Sequence, residues 1–231
     1  MKKTCAIIVA AGKSTRMGQN KQLIPIAKTT VIEYCLNQFQ NSDAINAIVV
    51  VTSPELIPVL HSLNFSKIHK IVVGGNTRQE SVLHGLDAVP EDCEFIAIHD
   101  GARPFASPTL INSIIASAQQ VGAAVPVIPV TSTVKRIDFS GKITETVDRD
   151  CLRLVQTPQV FEKKRYRQAI DRAIADRIDL TDDCQLFERL NWPIAAVNGS
   201  EENIKLTTPA DIALAQIIAK RMNEDENWNR I

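Results

Sequence analysis

Apolar residues fill five segments of the chain almost without interruption, at positions 5–10, 47–51, 70–74, 95–99 and 123–130. A strand that is apolar along its whole length, rather than at alternate positions, is typical of a parallel sheet covered on both faces. Helical patterns lie between these runs, at 30–39 and at 107–121, where Ser107 and Pro108 suit a helix start. The alternation predicts an α/β fold, a Rossmann-like, doubly wound and mostly parallel sheet.

The alternation of apolar strands and helical patterns is interrupted after residue 129. Two polar runs of high β propensity flank the turn signal Phe139-Ser140-Gly141-Lys142 within residues 131–149. A polar hairpin of two strands has no core of its own and is marginal in water. We therefore expect 131–149 to be an extended β-arm that protrudes from a single domain covering 1–231 and rests on another surface, such as a second subunit. A helix at 162–175, a short strand at 193–197 and a final helix from Thr208 complete the predicted elements.

Composition excludes several classes of protein. Acidic and basic side chains number 26 each, so the formal net charge is zero, which gives no support for nucleic-acid binding. The five cysteines are odd in number and form no C-x-x-C motif, which is typical of reduced thiols in a cytoplasmic protein. No segment is apolar over the length that a membrane-spanning helix needs. We expect a cytoplasmic protein without nucleic-acid or membrane partners.

Residues 12–15 read GKST, which matches the end of a Walker A phosphate loop. The full motif requires a glycine at position 7, where this chain has isoleucine. A helical pattern should also begin at the lysine, and none is present before Pro25. The sequence therefore does not predict a P-loop NTPase.

Three loops of small and polar residues follow three of the predicted strands, at 10–21, 74–81 and 99–104. Ligands of open α/β sheets bind outside the carboxyl ends of the strands, so these loops are expected to share one edge. Small residues let a phosphate or base approach the backbone, and the cations suit phosphate charge. The sequence predicts a nucleotide site there, built from Ala10, Ala11, Gly12, Arg16, Lys21, Gly75, Asn76, Arg78, Ser81, Asp100, Gly101 and Arg103.

Polar segments of the second half of the chain suggest a second ligand. Arg149 and Lys205 are the cations that would clamp the phosphate of a second substrate. The pairs His99-Asp100 and Asp182-Asp183 lack recognisable metal-ligand spacing, so no protein metal site is predicted. No catalytic nucleophile motif is present either. Any chemistry would therefore depend on positive charge and on the positioning of substrates.

Taken together and in order, the motifs resemble those of the 2-C-methyl-D-erythritol 4-phosphate cytidylyltransferases. They are AAG-x(3)-RM-x(3)-KQ (10–22), GG-x(2)-R-x(2)-S (74–81), HD-x-ARP (99–104), PV-x(2)-T-x-KR (129–136), TVDR (146–149), QTPQ (156–159), TDD (181–183) and NIKLT (203–207). The resemblance covers nearly the whole chain. It implies CTP and a polyol phosphate as substrates, Mg²⁺ held mainly by the CTP phosphates, and a homodimer built through the 131–149 arm.

The resemblance also implies a role for individual residues. Arg16 and Lys21 would stabilise charge on the α-phosphate, and Arg149 and Lys205 would grip and aim the second substrate's phosphate. The nucleotide would be held by Ala10, Ala11, Gly12, Lys21, Gly75, Asn76, Ser81, Asp100 and Gly101. The second substrate would be lined by Asp100, Arg103, Thr133, Arg149, Thr157, Thr181 and Lys205, with Thr133 and Arg149 supplied across the dimer.

Two alternative functions remain open at this point. A ribitol-5-phosphate cytidylyltransferase would share the AAG loop, HD-x-[AV]RP and QTPQ. A catalytically silent nucleotide-binding module would share the fold, although it needs no second phosphate clamp. The chain departs from the commoner family pattern at Ser14, Asn76 and Arg153, and none of these changes removes a cation that the reaction needs.

Overall fold

The structure, a computed structural model, describes residues 2–12, 20–178, 180 and 182–228, with side chains up to Met222. The strands are β1 Thr4–Ala10, β2 Pro25–Ile26, β3 Thr29–Thr30, β4 Ala47–Thr52, β5 Ile68–Val73, β6 Phe95–Asp100, β7 Ala123–Pro129, β8 Val134–Ile137, β9 Ile143–Val147, β10 Arg153–Val155, β11 Gln159–Glu162 and β12 Ala195–Asn198. The helices are α1 Val31–Gln40, α2 Ile57–Ser62, α3 Arg78–Asp87, α4 Pro108–Val121, α5 Lys163–Ala175, α6 Cys184–Glu188 and α7 Pro209–Trp228.

Eight of the described strands form one sheet in the order β10-β7-β11-β6-β1-β4-β5, with β12 also paired to β7. The central strand β1 runs parallel to both β4 and β6. β11 lies antiparallel between β6 and β7, and β10 is antiparallel to β7. The predicted α/β, mostly parallel sheet is confirmed. Because the chain passes from β1 to β4 on one side and later to β6 on the other, the strand order reverses beside β1, where such sheets bind ligands.

Burial on both faces explains the uninterrupted apolar runs. Along β1, Ala6 and Ile8 face a core formed with α1, α2 and α4, whereas Cys5 and Ile7 face a core formed with α3, α5 and α6. Successive strand residues point to opposite faces, so a strand covered on both sides has no position left for water. None of the described helices has the length and apolar character needed to cross a membrane.

Several elements differ from the sequence prediction, which also lacked α2, α6 and the short strands β2 and β3. Residues 78–81, expected in a loop, form the first turn of α3. The strands β10 and β11 were not predicted, because β10 has three exposed residues and β11 only four residues in all. Both strands are antiparallel to their neighbours. β11 lies between β6 and β7, and β10 pairs with β7.

The predicted hairpin is present as β8 and β9, which pair only with each other among the described strands. Its turn is closed by Asp138, whose Oδ1 accepts hydrogen bonds from the backbone N–H groups of Ser140 and Lys142. Large apolar side chains on the arm face solvent: Ile137 is 63% exposed and Ile143 is 66% exposed. The hairpin itself is confirmed, and its part in a dimer stays a prediction.

A third apolar cluster anchors the segment before α7. Leu206 is fully buried against Tyr34, Phe105 and residues of α7. The Asp211 carboxylate then accepts from the N–H groups of Thr207 and Thr208, at 2.7 Å each, and caps the helix. This packing fixes the backbone next to Lys205 relative to the sheet.

Candidate nucleotide and phosphate site

A cleft of about 470 Å³ opens at the carboxyl ends of β1 and β6, where the strand order reverses. Its described lining combines small residues, polar groups and cations from five stretches of the chain. The lining residues are Val9, Ala10, Ala11, Gly12, Lys21, Gln22, Gly75, Asn76, Thr77, Arg78, Ser81, Asp100, Ala102 and Lys205.

Close contact between two loops shapes one wall of the cleft. A Cβ on Gly74 would lie 2.3 Å from the Cβ of Ala11, and a Cβ on Gly75 would lie 2.3 Å from the Cβ of Glu80. Both distances are far below van der Waals contact, so these positions accept only glycine without a shift of the backbone. Gly74 thus lets the loop after β5 pack against the loop after β1, and Gly75 lets it pack against the start of α3.

The start of α3 supplies a second wall. The Thr77 hydroxyl accepts from the N–H of Glu80 at 3.0 Å, and the Glu80 carboxylate accepts from the N–H of Asn76 at 2.7 Å. Ser81 Oγ accepts from the N–H of Gly75 at 3.1 Å. This capped helix start directs its positive end toward the cleft, which favours an anionic ligand. The T-x-x-E spacing of 77–80 is a capping signature that could have predicted this helix from the sequence.

Asp100 stands between two cations at the floor of the cleft. Lys205 Nζ lies 2.6 Å from Oδ2 of Asp100, and Nε of Arg78 lies 3.7 Å from Oδ1. Burial alone would raise the pKa of this carboxyl, but Lys205 and Arg78 outweigh that effect and hold the pKa at about 2. Asp100 is therefore ionised throughout the physiological range and serves as the counter-charge of both cations.

Behind Asp100, a buried relay of hydrogen bonds fixes the end of β6. The Asp100 N–H donates to Thr157 Oγ1 at 3.1 Å, and the Thr157 hydroxyl lies 3.0 Å from Nδ1 of His99. His99 Nε2 lies 2.9 Å from the carbonyl oxygen of Arg103. Because a carbonyl only accepts, the His99 proton is on Nε2, so Nδ1 accepts from Thr157. Burial lowers the pKa of His99 to about 4, which keeps the ring neutral.

This neutral histidine predicts a loss of stability in acid. An unfolded histidine takes up a proton near pH 6.5, whereas His99 in the folded protein does so only near pH 4. The unfolded state is therefore favoured as the pH falls from 6.5 to 4. The free energy of unfolding should drop by about 3 kcal/mol through this group. Urea denaturation at several pH values measures it. A His99→Asn variant should show a shallower pH slope, and parallel curves for the two proteins would contradict the assignment.

The segment around Lys205 is held by two further cations. Arg103 Nη1 donates to the carbonyl oxygen of Asn203 at 2.7 Å, and Lys21 Nζ lies 3.4 Å from the carbonyl oxygen of Leu206. Lys21 itself sits in a short 3₁₀ turn whose start is capped by the Asn20 side chain. The cleft therefore collects positive charge from both ends of the chain.

The structure brings together most of the residues that the sequence indicated. Those that line the cleft are Ala10, Ala11, Gly12, Lys21, Gly75, Asn76, Ser81, Asp100 and Lys205. Gly101 and Thr157 are buried directly behind it, and Arg103 braces its edge. Thr133 and Arg149 lie on the exposed arm and do not belong to the described lining. Arg16, the last three residues of the GKST stretch (13–15) and Thr181 lie outside the described residues.

Sequence reasoning missed Gln22 and Asp183 and left Arg78 without a specific role. Gln22 is 2% exposed and lines the cleft. Asp183 forms an ion pair with Arg78, whereas its neighbour Asp182 accepts from the N–H of Cys184. Within the described part of the chain, no group of three or more His, Cys, Asp or Glu side chains could hold a metal ion.

Fold and cleft together define an α/β protein with a cation-lined site that suits phosphorylated ligands. The family model described as IspD, 2-C-methyl-D-erythritol 4-phosphate cytidylyltransferase, matches residues 4–221. The protein of that name from Caldanaerobacter subterraneus subsp. tengcongensis is 41% identical over 223 residues, covering 94% of this chain and 98% of its own. The one from Clostridium tetani is 40% identical over 233 residues, with 98% and 94% covered.

A solved structure agrees with these relatives. The 4-diphosphocytidyl-2C-methyl-D-erythritol synthase from Anaerococcus prevotii superposes with a TM-score of 0.85 at 30% identity, covering 95% of this chain and 96% of that one. The chain belongs to the 2-C-methyl-D-erythritol 4-phosphate cytidylyltransferase family of nucleotidyltransferases.

Proposed function

We propose that this protein joins CTP to 2-C-methyl-D-erythritol 4-phosphate, giving 4-diphosphocytidyl-2-C-methyl-D-erythritol and pyrophosphate. The observation that carries this proposal is one cleft that holds a small-residue cradle, Ala10 to Gly12, beside two lysines from opposite ends of the chain. The cradle suits the approach of a nucleotide to the backbone. Lys21 and Lys205 suit two separate phosphate groups, one on each substrate.

In the reaction, an oxygen of the acceptor phosphate attacks the α-phosphorus of CTP. The bond from that phosphorus to the bridging oxygen breaks, and pyrophosphate leaves with the electron pair. The attacking monoester is already largely ionised at neutral pH, so no general base is required. This agrees with a site whose histidine is enclosed and whose carboxylate is ionised. Lys21 offsets the negative charge that gathers on the α-phosphate, and Lys205 aims the acceptor.

The cleft is compatible with magnesium held mainly by the triphosphate. Asp100 is the carboxylate of the described lining, and Mg²⁺ is commonly bound by one or two carboxylates together with substrate phosphates and water. When bound, the ion would supply positive charge to the triphosphate. Asp100 would contribute an oxygen ligand, and its ion pairs with Lys205 and Arg78 fix where that oxygen lies.

We also propose a cytoplasmic homodimer in which each arm completes the partner's cleft with Thr133 and Arg149. The support is the arm itself, because β8 and β9 carry exposed apolar side chains and contact no other described strand. Arg149 is exposed and donates to the Thr131 carbonyl oxygen at the base of the arm. A cytoplasmic location is supported by the cysteines, all five of which are free thiols.

Pyrophosphate release tests the proposed reaction. CTP and Mg²⁺ are incubated with 2-C-methyl-D-erythritol 4-phosphate, with ribitol 5-phosphate, or with no acceptor. Release with the first acceptor alone is the expected result. Release mainly with ribitol 5-phosphate would support the proposed site but contradict the proposed acceptor. Release with neither acceptor would overturn the activity and favour a silent nucleotide-binding module.

A further inference from the structure

A line of four paired side chains runs from the floor of the cleft into the interior. Arg78 Nε lies 3.7 Å from Asp100 Oδ1, and Arg78 Nη2 lies 2.7 Å from Asp183 Oδ2. Asp183 Oδ1 accepts a hydrogen bond from the hydroxyl of Tyr166 at 2.6 Å. Asp100 belongs to β6, Arg78 to α3 and Tyr166 to α5, and Asp183 directly precedes α6. The line therefore connects four elements that are distant in sequence.

Burial makes this line a strong constraint. The side chain of Asp183 is 6% exposed, that of Asp100 is 12% exposed, and Tyr166 is fully buried. The Arg78 side chain is 34% exposed, and its removal would leave two largely buried carboxylates with one cation fewer. Burial would lower the pKa of Arg78, but Asp183 and Asp100 outweigh it and raise that pKa, so Arg78 stays a cation. Burial and Asp183 likewise raise the pKa of Tyr166, which keeps its hydroxyl proton in place to donate.

The guanidinium plane explains why an arginine occupies this position. Its Nε faces the Asp100 carboxylate and its Nη2 faces the Asp183 carboxylate. A lysine ammonium is a single point charge and cannot hold two carboxylates in a fixed relative orientation. Asp100 thus receives Arg78 on Oδ1 and Lys205 on Oδ2, which sets the plane of its carboxylate.

We propose that Arg78 is a positioning residue, which orients the Asp100 carboxylate so that Lys205 is left in place for the acceptor phosphate. This inference rests on the proposed function for the role of Lys205. Without Arg78, both oxygens of Asp100 turn to Lys205, and that lysine is withdrawn from the acceptor. Through Asp183, the same arginine also ties the start of α6 to the edge of the cleft.

Kinetics of Arg78→Lys test the proposal. We expect kcat with CTP and 2-C-methyl-D-erythritol 4-phosphate to fall roughly 10- to 100-fold, because a misplaced group near the chemistry typically costs this much. The KM for the acceptor should rise while the KM for CTP changes little. Tyr166→Phe, which removes only the hydrogen bond to Asp183, should give a smaller loss in the same direction. A purely structural role would lower the amount of folded protein and leave these constants unchanged, which would overturn the proposal.

The matched control is Arg167→Gln, since Arg167 also pairs with an aspartate, Asp87, but outside the cleft. It should have wild-type kinetics. A crystal structure of Arg78→Lys gives a readout that does not depend on activity: the Asp100 carboxylate should be turned toward Lys205. If wild-type protein transfers no cytidylyl group, the proposed function fails, and the crystal structure still decides the inference. An unmoved Asp100 in that variant would refute it.

Discussion

Replacing Lys21 by alanine is expected to lower kcat by roughly 10²- to 10³-fold, the usual cost of losing one group that stabilises transition-state charge. The KM for CTP should change much less. Negative charge around the α-phosphate is greatest in the transition state, when the attacking and the leaving oxygens are both partly bonded to the phosphorus. A cation there therefore stabilises the transition state more than it stabilises bound CTP. Lys21 is placed for this by its 3₁₀ turn and by the buried segment around Leu206.

Steady-state pyrophosphate release measures the effect, and Lys28→Ala is the matched control. Lys28 lies seven positions further along the same segment, between β2 and β3, and is exposed away from the cleft. It should behave as wild type. A kcat for Lys21→Ala equal to that of wild type would show that Lys21 does not stabilise the transition state. Its role would then be structural, through its contact with the Leu206 carbonyl oxygen.

Mixing two inactive variants should restore activity if the arm acts across a dimer. Arg149→Ala lacks the arm cation, and Lys21→Ala lacks the cleft cation. In a hybrid dimer, the intact cleft of the first variant would receive the intact arm of the second. With random exchange of subunits, about a quarter of all sites are complete, so about a quarter of wild-type activity should return.

The control for this experiment mixes Lys21→Ala with Lys205→Ala. Both residues line the cleft of one chain, so every hybrid site lacks one of them and no activity should return. Co-expression with two affinity tags allows the hybrid dimer to be isolated and assayed directly. Recovery in neither mixture would show that the arm does not complete a partner's cleft.

Much of the sheet was predictable because its physical cause is local. A strand buried on both faces is apolar at nearly every position, and β1, β4 and β6 follow this rule. The run at 70–74 predicted β5 in the same way, but β5 lies at the edge of the sheet and its His69 and Lys70 are exposed. β10 could not be predicted, because its three residues are exposed and are held only by pairing with β7. Its existence depends on a partner strand rather than on its own pattern.

The same distinction separates the predictable part of the site from the rest. Loops at strand ends were predictable, since parallel strands bring their carboxyl ends to one edge. The pairing of Arg78 with Asp183 was not, because the two residues are 105 positions apart and each has an ordinary local explanation. The ion pair of Lys205 with Asp100 was not predictable either, because the two residues are far apart in the sequence.

The way the arm joins the sheet makes it a separable module of the chain. Pro129 and Arg153 face each other in the antiparallel pair of β7 and β10, so the chain leaves and re-enters the sheet at adjacent residues. Residues 130–152 therefore form an insertion whose two ends are neighbours in the sheet. Changes in its length or surface can therefore accumulate without altering the nucleotide cradle, which begins at the end of β1, a strand that the core holds fixed. The arm and the nucleotide cradle are thus free to evolve at different rates.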